Sequence, residues 1–484
     1  MKKSFFNCTA LLLVSFILFN SCRNEKGTPE FKKYPSDIGK IVFTKCATTG
    51  CHTEASKFAA GGLSMQSWDK LFEGGNGGAA VIPFRNDYST LFFYCNTFSD
   101  LGSALLPTMP FNKNPLSYNE VNLLKNWINI GAPNIDGFVK FSDNQNRKKI
   151  YVPNQGCDVV TVFDQQTLLP IRYINVGNSI AVEAPHDIKV SPDGKYWYVI
   201  FLQGNSLQKY RTSDDSFVGE AFLGVKNWNT ITIKNDGSKA YVVDWGSNGD
   251  IAEVDLSSLT VVHNNGFNYP HGSCLNPAGD TLYVTQQTNS SKMYKIPIND
   301  FSSFKEVNLF TIPPALALNS HVINFSPDGT KYFVTCQGSS EVRVFRQATD
   351  QLIAVIPVGG LPSEMDISIT HNYLFVTCEE DTTSFPGKRG AIAVIDISNN
   401  SLVKTIYAGH QPHGISVDDS NNMVYIANRN KTNDGPAPHH SSNCGGRNGY
   451  ITFIDMNTLT LLKSGLNDKK VEVSVDPYEI AIRR

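Results

Sequence analysis

Pro185-His186-Asp187-Ile188-Lys189-Val190-Ser191-Pro192-Asp193-Gly194 and Ser320-His321-Val322-Ile323-Asn324-Phe325-Ser326-Pro327-Asp328-Gly329 are two copies of one unit. Each is a short alternating run that closes on Ser-Pro-Asp-Gly, tight-turn chemistry between antiparallel strands. Variants begin at Trp228, Pro270, Pro362, Pro412 and Pro477, mostly 42 to 50 residues apart. Each of the first six units leads into a second strand such as Tyr283-Val284-Thr285 or Phe333-Val334-Thr335. A third strand often ends in aspartate, as in Ala252-Glu253-Val254-Asp255, and a fourth in Val-Gly, as in Ile356-Pro357-Val358-Gly359. Seven such units over residues 148–484 predict an all-β propeller of seven four-stranded blades. The chain enters on a second-type strand at Ile150-Tyr151-Val152 and ends on a first-type strand at Pro477–Ile482. The last strand is thus expected to complete the blade begun by residues 148–177.

This half resembles the exported propeller family named for its Tyr-Val-Thr-Asn strand, with Tyr283-Val284-Thr285 the nearest match. The fold is nearly silent on activity. The second repeat position is more informative, carrying His186, Asn229, His271, His321, Ser363, His413 and Tyr478. Those places lie at one mouth of a propeller channel. Second-strand ends return there with Gln286, Cys336, Cys378 and Asn428, and so does the Glu379-Glu380-Asp381 loop. An insert from Asn428 to Tyr450 adds His439, His440 and Cys444. Long inserts in regular arrays are often functional. Imidazole and thiolate together suit copper or zinc, so His186, His271, His321, His413, His439, His440 and Cys444 form a second candidate metal site. The alternative is that each repeat histidine hydrogen-bonds to a neighbouring blade.

Ahead of the propeller the pattern is helical. Ile38, Ile41 and Val42 have helical spacing and lead into Cys46-Ala47-Thr48-Thr49-Gly50-Cys51-His52. Two cysteines followed at once by histidine suit covalent haem attachment, the thiols adding to vinyl groups and the imidazole reaching iron. The usual spacing is two residues, and here four separate Cys46 from Cys51. A Cys46–Cys51 disulfide or a small metal site is the alternative. Leu106-Pro107-Thr108-Met109-Pro110 offers a thioether in a stiff loop as second axial ligand, while Met65 reads as core. Ser117-Tyr118-Asn119-Glu120 is a capping box opening a helix with Val121, Leu124, Trp127 and Ile128 on one face, stopped at Gly131-Ala132-Pro133.

Residues 35–137 resemble the small c-type cytochrome domains of the planctomycete type, often fused to larger domains in exported bacterial proteins. The matching pieces are Cys51-His52, Gly61-Gly62-Leu63, the Gly-rich turn to Val81-Ile82-Pro83, Met109-Pro110 and the closing helix. The resemblance implies a small all-α domain with one covalent haem c, Cys46 and Cys51 as thioethers and His52 and Met109 as axial ligands. Some bacterial nitrite reductases likewise join a c-type domain to a propeller, and nitrous oxide reductases place copper in one lined by histidines.

Residues 1–22 read as a lipoprotein signal. Lys2 and Lys3 precede an apolar run, and Phe19-Asn20-Ser21-Cys22 resembles a lipobox with Cys22 lipidated. Residues 23–34 read as a polar tether. The protein is therefore expected to be exported and lipid-anchored in the periplasm or outer membrane. Charged residues are 18% of 484 with a net charge of −2, so nothing suggests a nucleic-acid partner or a polybasic membrane surface. These features favour an envelope electron carrier with a redox protein partner and the propeller as docking or substrate platform. A propeller-based redox enzyme and a non-catalytic surface-binding lipoprotein are the alternatives.

Overall fold

The computed structural model describes residues 31–439, 442 and 444–484. The signal segment with Cys22, most of the tether, and His440 lie outside the described residues.

The propeller forms as expected. Seven sheets of antiparallel strands follow one another along the chain, with one extra two-stranded hairpin, Lys463–Ser464 with Asn467–Asp468. Blade 1 holds the strands Lys149–Asn154, Val159–Asp164 and Leu169–Asn175. Its fourth strand, Ala481–Ile482, pairs with Ile150 and Tyr151, so the C-terminus closes the ring. Blades 2 to 7 open with the first-type strands Pro185–Val190, Trp228–Ile233, Pro270–Leu275, Ser320–Phe325, Pro362–Ser368 and Pro412–Asp418. Alternate apolar residues pack between neighbouring blades, giving a cluster such as Tyr198, Ile200, Trp228, Ile231 and Val242 between blades 2 and 3. Sheets with both faces covered must bury both sets of side chains. The second strands accordingly read as near-continuous apolar runs: Tyr373–Cys378 is buried from its second residue onward.

The region before the propeller is a helix-and-loop unit rather than a compact helical bundle. Its α-helices, among the described residues, are α1 (Ser36–Ile41), α2 (Trp68–Leu71), α3 (Thr90–Cys95) and α4 (Tyr118–Asn129). Only α4 exceeds two turns, and secondary structure alone does not define this unit as a cytochrome domain. The α4 capping box is present, with Ser117 and Glu120 bonding reciprocally, and Val121, Leu124, Trp127 and Ile128 are buried. Met65 is core, as expected. The tether boundary shifts: Tyr34 is fully buried and donates to the carbonyls of Met65 and Ser67, and Phe31 packs on the same core.

This unit sits on blade 1. Tyr88 stacks on Tyr173 with ring centroids 3.9 Å apart. Arg85 donates to the Tyr173 carbonyl at 2.8 Å and to Asn175 Oδ1 at 2.9 Å. Phe141 packs against both cores. Beside this seam Cys157 forms a disulfide with Cys444, tying the blade 7 insert to blade 1 across 287 residues.

Candidate functional sites

The Cys46–His52 loop leaves α1 through a five-residue π-turn, Val42–Cys46. This wider winding rotates Cys46 into the core, where it is 8% exposed. Burial, with Cys51 nearby, pushes its thiol up to about 12. Cys51 is half-buried and both cysteines are free thiols, so the disulfide alternative does not form. The long spacing is absorbed by a turn: the Cys51 N–H donates to the Thr48 carbonyl at 2.9 Å, and the His52 N–H returns to the Cys46 carbonyl at 3.2 Å.

His52 Nδ1 lies 3.2 Å from the Leu63 carbonyl oxygen. A carbonyl only accepts, so Nδ1 carries the proton and Nε2 presents a lone pair, the tautomer a metal-ligating histidine needs. Gly61-Gly62 makes this contact. Gly62 has φ +78°, and a Cβ there would lie 2.6 Å from Asn76 Oδ1, so only glycine allows the turn that brings Leu63 back to His52. Met109 is held by its N–H to the Tyr94 carbonyl at 2.7 Å and packs on the core from its half-buried position. Four residues on, Lys113 donates to Thr48 Oγ1 at 3.2 Å, which fastens the Met109 loop to the Cys46–His52 loop. Phe58, Leu106 and Phe111, on the segments beside His52 and Met109, are 85%, 84% and 58% exposed. That is apolar surface of the kind a planar macrocycle covers. An imidazole Nε2, a thioether and the Cys51 thiol fit the donor set of a haem c; the core position of Cys46 fits a second thioether less well.

The propeller brings four of the predicted histidines together. His271 and His321 have ring centroids 4.4 Å apart, His321 and His413 5.8 Å, and Tyr478 stacks between His413 at 3.8 Å and His186 at 4.0 Å. All are nearly buried. They form a waist in the channel. A cavity of about 510 Å³ on one side is lined by His186, His271, Tyr478, Trp245 and Arg429. A second of about 660 Å³ on the other side shares His186, His271 and Tyr478 and runs to Arg484.

The neighbouring-blade alternative holds for three of these rings. His271 Nδ1–H donates to the His321 carbonyl at 3.3 Å and His413 Nδ1–H to the Tyr478 carbonyl at 3.1 Å. His186 Nδ1 takes a hydrogen bond from Gln155 of blade 1 at 3.0 Å. Burial holds all four rings below the usual histidine range, His271 at about 4, so they are neutral at pH 7.

The remaining members of the expected cluster lie elsewhere. Cys444 cannot serve as a thiolate because its sulfur is bonded to Cys157. His439 is exposed and its N–H is held by Glu472, away from the waist. Cys336 and Cys378 do not reach the mouth either: both are fully buried in the packing between blades. The insert contributes otherwise, through Thr432 on His410 Nε2 at 2.7 Å.

Sequence reasoning missed a charged cluster just past the histidines. Lys189 lies 2.8 Å from Asp187 and 3.8 Å from Glu479. Burial opposes its charge, but these carboxylates outweigh it and hold the ammonium above its usual range. Burial lifts Glu479 well above the carboxylate range and Glu364 to about 7, against the pull of Lys189. Strict strand alternation would not turn residues at positions two and three of the repeat toward one channel. A register shift at this place in blades 2 to 7 does so, as between Pro185 and Ile188 or Pro362 and Met365. The signal was present in Gly272: a Cβ there would lie 2.1 Å from the His321 carbonyl oxygen, so the bulge needs glycine where the next blade approaches.

Fold and waist together define a seven-bladed β-propeller with a titratable, polar channel. No known family model matches the chain. Antigen Lp49 of Leptospira interrogans is 22% identical over 307 residues, 60% of this chain, and the chain spans 64% of that relative's length. A putative 6-phosphogluconolactonase from Bacteroides fragilis superposes with a TM-score of 0.52 at 15% identity, covering 71% of this chain and 99% of that one. The periplasmic gluconolactonase PpgL of Pseudomonas aeruginosa gives 0.51 at 14%, covering 69% and 98%. At these identities the likeness is one of fold.

Proposed function

We propose that the protein is a haem c-binding electron carrier of the bacterial cell envelope, its propeller serving as a docking or substrate platform for a redox protein partner. The observation that carries this is the His52 ring, oriented by the Leu63 carbonyl with no hydrogen-bond partner on Nε2 among the described residues, on a loop fastened to the one that holds Met109. When bound, haem c supplies a reversible one-electron couple whose potential a thioether ligand raises. The chain's own part is to fix the imidazole tautomer, hold the Met109 sulfur beside the core, and present Cys51 for covalent attachment. The Cys157–Cys444 disulfide supports an envelope location, because such bonds persist in oxidising compartments. Anchoring through Cys22 belongs to the same proposal.

Haem staining of the denatured full-length chain, produced in a host that matures c-type cytochromes, tests this. Covalent haem is expected, lost in Cys51→Ala and retained in Cys46→Ala with an unchanged pyridine haemochrome spectrum. Met109→Ala is expected to keep the haem and shift its visible spectrum. An unstained wild-type chain would refute the carrier.

A further inference from the structure

We propose that His321, Glu364 and His413 bind one divalent transition-metal ion at the waist of the propeller channel. One donor atom from each lies within 4.8 Å of the others. Donors around a zinc ion at ~2.1 Å lie about 3.4 Å apart, so side-chain rotations of roughly an ångström close the set. Blades 5, 6 and 7 each supply one ligand from the start of the first-type strand, so the rigid ring fixes the spacing.

Two further observations point to a ligand. His321 Nδ1 is buried, faces Glu364 Oε1 at 3.7 Å and draws only a weak contact from the Ser363 backbone, short of a well-formed hydrogen bond; an imidazole nitrogen so poorly paired carries part of the desolvation penalty that a cation would relieve. His413 has the outer support typical of a metal ligand: its Nδ1–H is spent on the Tyr478 carbonyl, which leaves Nε2, 4.0 Å from Glu379 Oε2, as its ligating nitrogen. Two imidazoles with one carboxylate select a borderline cation such as Zn²⁺, Fe²⁺ or Co²⁺ over Ca²⁺ or Mg²⁺. Three protein ligands leave at least one coordination position for water or a small molecule. Glu364 and His321 also line the 660 Å³ channel cavity, so that position is reachable from the channel. The site is independent of haem at His52.

Cobalt titration of the chelator-treated full-length chain, followed by visible absorption, tests the proposal. One Co²⁺ per chain is expected, displaced by Zn²⁺, and Zn²⁺ is expected to raise the unfolding temperature. Glu364→Gln and His413→Gln, checked for native circular dichroism, are expected to weaken binding by more than the ~10-fold typical of an outer-shell change and to lose the thermal shift. His186→Gln, a neighbour outside the triad, and His52→Ala are expected to bind as wild type. No saturable cobalt uptake, or uptake unchanged in folded Glu364→Gln and His413→Gln, would overturn it; so would a loss confined to His52→Ala.

Discussion

The two halves of this molecule hold their candidate sites by opposite means. In the helical unit, each functional side chain depends on a feature that occurs once: the π-turn under Cys46, the Gly61-Gly62 turn behind His52, the Lys113–Thr48 contact beside Met109. In the propeller the same position in successive repeats arrives at the same place, and closure by Ala481–Ile482 fixes the ring. A site built from unique loops can change its chemistry by one substitution, whereas a site built from repeats inherits its geometry and varies only in side chain. The contrast can be broken or sharpened by disturbing each half separately.

The largest effect is expected from the propeller's buried ion pair. Lys149 Nζ meets Asp215 Oδ2 at 2.7 Å and the Thr212 carbonyl at 2.8 Å, and Tyr151 donates to the same aspartate, so blade 1 is bound to blade 2 where the ring closes. Both side chains are under 5% exposed. Asp215→Ala leaves an ammonium buried without its counter-charge and is expected to cost about 3–5 kcal/mol in urea denaturation. Because neighbouring blades share their cores, the loss is expected across the propeller transition as a whole. A variant that unfolds blade 1 alone would show the ring to be less cooperative than its packing indicates.

Next in size is a pH effect at the waist. His271 is held at about 4 by burial, against 6.5 in an unfolded chain. Between those values the unfolded chain binds more protons than the folded one, so stability falls as pH drops from about 6.5 to 4 and is full above that window. The whole shift corresponds to about 3 kcal/mol. Glu479 and Asp158, with pKa values raised by burial, act in the opposite sense. The quantity to measure is therefore wild-type stability minus that of His271→Asn, at pH 7 and at pH 4. That difference is expected to shrink on acidification. A constant difference would mean the ring is not neutral because of its site.

How much of this was legible in the sequence follows from the same contrast. The turn chemistry of Ser191–Gly194 and Ser326–Gly329 is local and recurs with variation in the first six units, so the period and the closure by the last strand could be read directly. The capping box at Ser117 was legible for the same reason, since it needs only four consecutive residues. Positions three and five were missed because a bulge breaks the two-residue alternation, and a bulge is fixed by the neighbouring blade. The Cys157–Cys444 pairing was hidden because its ends are 287 positions apart along the folded ring. His52 stood out in the sequence, but its partner is a backbone carbonyl at Leu63, which carries no residue code.

The seam between the halves gives an intermediate effect. Arg85 is clamped by Asp87 and donates into blade 1 while lying over the Tyr88 ring at 4.4 Å. Arg85→Ala is expected to cost about 2 kcal/mol, the scale of hydrogen bonds to a charged group. Limited proteolysis near residues 138–148 is expected to speed up while the propeller's own unfolding midpoint stays put. If that midpoint falls instead, the two halves fold as one unit and the division drawn above is too sharp.

The smallest effect is the most selective. Ser117 Oγ accepts from the Glu120 N–H at 3.4 Å, and Glu120 Oε2 accepts from the Ser117 N–H at 2.8 Å, closing the first turn of α4. Ser117→Ala removes one cap and is expected to cost about 1 kcal/mol. The α4 helix is the largest element of the helical unit, and its buried face carries Trp127, which donates to the Pro133 carbonyl at 2.9 Å. The loss is therefore expected in the helical unit alone. Hydrogen exchange should accelerate in residues 118–129 and in the Met109 loop, with no change in blades 2 to 6. Equal acceleration in those blades would mean that a cap on a solvent-facing helix is felt through the Tyr88–Tyr173 stack, and that the once-only features near His52 draw their rigidity from the repeating half.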